Sequence, residues 1–95
     1  MKNKFIPYGR QEINNQDIES VVEVLKSDFI TQGTKVPLFE KLISEYCGAK
    51  FAFAVNSATS ALHLGCLSLG LKKGDIVWTS PISFVASANC ALYCG

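Results

Sequence analysis

A chain of 95 residues holds one domain at most, and a net charge of +1 with no basic cluster excludes a nucleic-acid binder that works through phosphate contacts. With 48% hydrophobic and 18% charged residues it is a chain that folds around a core, not a disordered one. Residues 1–7 carry no long apolar run of the kind a secretory signal needs, and no stretch reaches the roughly 18 apolar residues of a membrane helix. The expectation is therefore a cytoplasmic protein with neither membrane nor nucleic acid as partner.

Residues 1–14, with Pro7 and Gly9, read as an extended arm containing a turn. Asn14 or Asn15 then offers an N-cap. Ile18, Val21, Val22 and Leu25 fall at i, i+3, i+4 and i+7, which predicts an amphipathic helix over 15–27. Asp17 and Glu19 in its first turn and Lys26 in its last suit the helix dipole. A loop over 28–34 leads to a second helix, 36–47, with Pro37 in the first turn and Phe39, Leu42, Ile43 and Tyr46 on one face. Gly48 ends it.

A strand over 50–55 follows, then a polar turn and a third helix reaching about Leu69, stopped by Gly70. Leu71 to Asp75 form a solvated connection, and 76–79 read as a short buried strand. After the turn at 80–83 a fourth helix is predicted over 84–93, finishing at Gly95. Strands alternating with helices predict an α/β fold with a mostly parallel sheet covered by helices. By that alternation another strand should follow, so 15–95 are expected to be an incomplete portion of a larger domain.

In such sheets ligands gather at the carboxyl ends of the strands. Two such ends occur here, Asn56-Ser57-Ala58-Thr59 and Ser80-Pro81-Ile82-Ser83, both built from small and hydroxyl residues. At the first, the amides of Ala58, Thr59 and Ser60 open a helix and can cup a phosphate, with the Thr59 or Ser60 hydroxyls adding bonds. The same residues serve equally as plain N-capping by Ser57 or Asn56. No Gly-Lys-Ser/Thr and no Gly-x-Gly-x-x-Gly is present, which excludes the triphosphatase loop and the dinucleotide fingerprint. At the second end, Phe84 can stack on a flat ring, although taken alone it reads more simply as a core residue at a helix start.

His63, the single histidine, lies one turn beyond Thr59 and reads as packed or solvated rather than catalytic. Cys47, Cys66, Cys90 and Cys94 lack the two-residue gap of a zinc knuckle and are expected to be reduced core or interface residues, with no metal site. A small non-enzymatic α/β module holding a phosphorylated ligand at Ser57–Ser60 is one reading of all this.

A second reading comes from likeness. Asn56-Ser57-Ala58-Thr59-Ser60-Ala61-Leu62-His63 and Ser80-Pro81-Ile82-Ser83-Phe84-Val85-Ala86-Ser87-Ala88-Asn89 resemble the front half of DegT/StrS-type sugar aminotransferases, and the Thr31-Gln32-Gly33 exit from the first helix is similar too. The resemblance implies the large domain of a fold-type I aminotransferase working as a homodimer with pyridoxal 5'-phosphate. It implies that Ala58, Thr59 and Ser60 hold the cofactor phosphate and that Phe84 stacks on the ring. It implies that Tyr8, Asp28, Phe29, Ile30 and Thr31 lie near a UDP-sugar. Within the family the likeness leans to the pseudaminic acid branch, which aminates a UDP-linked 4-keto-6-deoxy-N-acetylhexosamine, with glutamate as the expected donor. The lysine that bonds pyridoxal, and the acid that pairs with its ring nitrogen, have no counterpart here and would lie beyond Gly95. No residue of this chain is therefore nominated as catalytic, and the 95 residues alone are expected to have no transaminase activity.

Overall fold

A computed structural model describes residues 5–95, which divide into two compact units, one running to Phe51 and the other Ala52–Gly95. The division falls inside the segment expected as the first strand.

The first unit carries two helices. Helix α1 spans Asn15–Leu25. Asn14 Oδ1 accepts from the amides of Gln16 at 2.8 Å and Asp17 at 3.2 Å, and Asp17 accepts from the Asn14 amide at 2.9 Å. This reciprocal capping box satisfies three amides that a helix start leaves open. The helix stops two residues short of the expected Ser27. There the Ser27 amide donates to Val24 O at 3.1 Å, three residues back, and the turn tightens out of α geometry.

Helix α2 spans Lys35–Cys47. Pro37 is its third residue, so the missing N–H is one the helix could not have used. Gly48 closes it in the left-handed region at φ 62°, with its amide on Glu45 O at 3.2 Å and the Ala49 amide on Ser44 O at 2.9 Å. A Cβ on Gly48 would meet nothing within 4 Å, so only the backbone conformation opposes a side chain. Gly48→Ala is expected to lower stability by about 1 kcal/mol, read as a drop in thermal midpoint.

The second unit is built on α3, Ala58–Ser68, packed against α4, Ala86–Leu92. Ala86 and Cys90 lie one turn apart on α4 and are buried, at 5% and 4% exposure. His63 and Tyr93 meet edge to face, with ring centroids 5.3 Å apart and planes at 67°. Helix α4 starts two residues later than expected because Phe84 O is taken by the Ser87 amide at 3.0 Å, a bond over three residues, and the α pattern begins only beyond it.

Two expectations are corrected. No strand is present among the described residues, and the sheet expected from 50–55 and 76–79 is not formed by them. Alternating apolar residues fit a segment to a sheet, but a strand exists only with a ladder partner beside it. Nor do the apolar stripes make one core. Among the described residues only Ala86 and Cys90 are buried apolar residues, while Val21, Leu25, Phe39 and Leu42 of the helical stripes are exposed, as are Phe53, Ile76 and Trp78 of the expected strands. A helix buries its apolar stripe only against another element, and a short chain supplies few. The cysteines, expected as core or interface residues, divide accordingly: Cys90 is buried, Cys66 and Cys94 are half-buried, and Cys47 is exposed.

Candidate cofactor and substrate residues

Ser57 caps α3 from an extended backbone, and its Oγ accepts the Ser60 amide at 3.1 Å. The two hydroxyls lie 3.0 Å apart, and the Ser60 hydroxyl donates to Asn56 Oδ1 at 2.8 Å. Asn56 and Ser57 thus meet at the Ser60 hydroxyl, but of the two nominated capping residues only Ser57 accepts a helix amide. The first regular bond of the helix runs from the Ala61 amide to Ser57 O at 3.1 Å. Helix geometry gives no partner to the amides of Ala58 and Thr59.

The contrast with α1 is informative. Helix α1 carries Asp17 in its first turn, and the carboxylate complements the dipole there. Helix α3 carries no acidic residue in its first turn. Its positive end carries no compensating charge from its own first turn. Two open amides beside the Thr59 hydroxyl, with only a methyl at Ala58, fit a phosphate monoester. Of the three residues nominated for the cup, Ala58 and Thr59 have no hydrogen-bond partner for their donors among the described residues, whereas the Ser60 amide is held by Ser57 and its hydroxyl by Asn56.

At the second turn the Ile82 amide donates to Ser80 Oγ at 3.2 Å, and the hydroxyls of Ser83 and Ser87 pair at 2.9 Å. Neither Ser80 nor Ser83 caps α4; Val85 occupies that position without a side-chain bond. Phe84 is 74% exposed, which overturns its simpler reading as core. Both turns belong to the second unit.

Tyr8, Asp28, Phe29, Ile30 and Thr31 belong to the first unit, and all five are exposed. Phe29 and Ile30 line a cavity of about 360 Å³ together with Val24, Gln32, Lys35 and Val36; Tyr8, Asp28 and Thr31 do not. Above this loop Lys35 Nζ lies 3.5 Å from Glu23 Oε2, linking the start of α2 to α1. Ser27 Oγ lies 2.7 Å from Val24 O and 3.2 Å from Phe29 O. Gln32 takes a left-handed φ of 55°, and a Cβ on Gly33 would stand 2.9 Å from Phe29 O. The bonds of Ser27 and the approach of Gly33 to Phe29 are features that sequence reading missed. Their only signal was a serine at a helix end with a glycine six residues on.

Two features of the second unit carry no part of this arrangement. His63 is packed, as expected, and its Nε2 is buried with no hydrogen-bond partner among the described residues. Burial pushes the Cys66 thiol up, with hydrogen bonding and charge at Cys90 and then Cys94 adding to the effect. The neutral thiol is thereby favoured, and such a sulfur is a poor nucleophile near neutral pH. No group of three or more potential ligands for a metal ion occurs among the described residues.

Comparison with known proteins gives this geometry its setting. The model of the DegT/DnrJ/EryC1/StrS aminotransferase family matches residues 11–95. A UDP-4-amino-4,6-dideoxy-N-acetyl-beta-L-altrosamine transaminase of Campylobacter jejuni is 47% identical over 90 residues, which are 95% of this chain and 24% of that protein. The spore coat polysaccharide biosynthesis protein SpsC of Bacillus subtilis is 42% identical over 94 residues, 99% of this chain and 24% of its own length. A UDP-4-amino-4-deoxy-L-arabinose–oxoglutarate aminotransferase of Shewanella sediminis is 40% identical over 89 residues, 94% of this chain and 23% of its own. The chain thus spans about a quarter of the length of these relatives. No solved structure matches it. By its family match over residues 11–95, the chain belongs to the DegT/DnrJ/EryC1/StrS aminotransferase family.

Proposed function

We propose that this chain supplies the cofactor-phosphate cup, the ring-stacking aromatic and the substrate loop of a pyridoxal 5'-phosphate-dependent aminotransferase. The reaction moves an amino group from glutamate to the 4-keto carbon of a UDP-linked 4-keto-6-deoxy-N-acetylhexosamine, as in pseudaminic acid synthesis. The observation that carries the reading is the acid-free start of α3, where the Ala58 and Thr59 amides stand open beside an Asn56–Ser57–Ser60 cap. The names of the Campylobacter and Shewanella relatives support the substrate class.

In this reading residues 1–14 are an arm, and 15–95 are the first portion of the cofactor-binding large domain of a cytoplasmic homodimer. Pyridoxal phosphate, when bound, supplies the electron sink for exchange of the amino group. The work of this chain is binding and orientation. Ala58 and Thr59 donate to the phosphate, the Ser57 cap holds the helix end rigid, and Ser60 joins the cup by turning its hydroxyl from Asn56. Phe84 fixes the ring plane from one face. Tyr8 and residues 28–31 hold the nucleotide-sugar, and the covalent lysine lies outside these residues.

The test is transfer of label. The full-length protein, given pyridoxal phosphate, nitrogen-labelled glutamate and the 4-keto nucleotide-sugar, is expected to yield a product with the label on C4. A product aminated at another carbon, or without the glutamate nitrogen, contradicts the reading.

A further inference from the structure

The loop between α1 and α2 is fixed at one peptide group. On one side Phe29 O lies 3.2 Å from the Ser27 hydroxyl, whose one proton it shares with Val24 O. From the other side the backbone of Gly33 comes so close that a Cβ would stand at 2.9 Å from the same oxygen, a distance real side chains do not tolerate. That neighbour is backbone, so no side-chain rotation relieves the contact and the peptide itself must move. Ser27 Oγ is also 2.7 Å from Val24 O, so the hydroxyl ties the last turn of α1 to the loop. The left-handed Gln32 folds the chain back, and Lys35 with Glu23 joins the two ends across the loop. Phe29 and Ile30 flank the clamped peptide, and both line the cavity there.

We propose that Ser27 and Gly33 are positioning residues that hold Phe29 and Ile30 in register for the nucleotide-sugar; this rests on the reading of 28–31 as substrate loop. Neither residue touches the reacting atoms. Ser27 acts through the Phe29 carbonyl, and Gly33 acts by leaving room for it. Loss of either lets the peptide rotate and moves both side chains together. Glutamate carries no nucleotide for residues 28–31 to hold, so its half of the exchange is expected to be little affected.

The experiment compares Ser27→Ala, Ser27→Thr, Gly33→Ala and Phe29→Ala in the full-length protein. Ser27→Ala and Gly33→Ala are expected to raise KM for the nucleotide-sugar about ten-fold, with kcat and the glutamate KM little changed. Ser27→Thr keeps the hydroxyl and restores the native KM. Hydrogen exchange of the 28–33 amides, read without substrate, accelerates in Ser27→Ala and not in Ser27→Thr. If Phe29→Ala raises the sugar KM while Ser27→Ala and Gly33→Ala leave it and the exchange unchanged, the positioning proposal falls and the substrate loop stands. If Phe29→Ala also leaves the sugar KM unchanged, the substrate-loop reading falls, and the proposal with it.

Discussion

Thr59→Asp is expected to weaken pyridoxal phosphate binding about a hundred-fold while leaving the folded protein as stable as before, or slightly more so. The two effects share one cause. Position 59 is the second residue of α3, where the helix end carries partial positive charge and the chain places no acid of its own. A carboxylate there competes with the phosphate for the positive end of α3, as Asp17 complements the start of α1. The helix gains about 0.3–1 kcal/mol from the new charge. The cofactor loses charge-assisted bonds of about 1.5–3 kcal/mol and meets a like charge instead, which together amount to about two decades of affinity. Titration of the apoprotein with cofactor, beside thermal unfolding of the same apoprotein, reads both. A phosphate bound elsewhere would leave the affinity unchanged.

Phe84→Ala separates stacking from packing in the same way. A side chain with 74% of its surface in solvent contributes little to folding, so truncation is expected to cost less than about 0.5 kcal/mol of stability. Stacking against the flat pyridine ring is of the order of 1 kcal/mol, so cofactor affinity falls by about five-fold. Phe84→Tyr keeps the aromatic face and restores affinity. A large drop in apoprotein stability with unchanged affinity would instead return Phe84 to the core.

These predictions rest on features of unequal legibility. The helices were legible because their signals are local. Asn14 and Asp17 make the box that starts α1, and Gly48 makes the left-handed stop of α2. The ends that moved did so through bonds three residues apart, at Ser27 and Ser87, which no periodicity encodes. The strands depended on pairing far away in sequence, and no strand forms among the described residues. The proposed phosphate cup was visible as a residue pattern. The division of labour inside it was not, because the engagement of Ser60 by Ser57 and Asn56 is a matter of rotamers. The clamp on Phe29 was hidden for the opposite reason: Gly33 acts through a side chain it lacks.

The most direct measurement is the amide proton shift of Ala58 and Thr59 in isotope-labelled protein before and after pyridoxal phosphate is added. Hydrogen bonds to a phosphate draw amide protons strongly downfield. The account predicts large downfield shifts at Ala58 and Thr59, reproduced by inorganic phosphate at high concentration and lost in Thr59→Asp. Saturating cofactor that leaves both amides where they were, while shifting others, would contradict the claim that the start of α3 holds the phosphate.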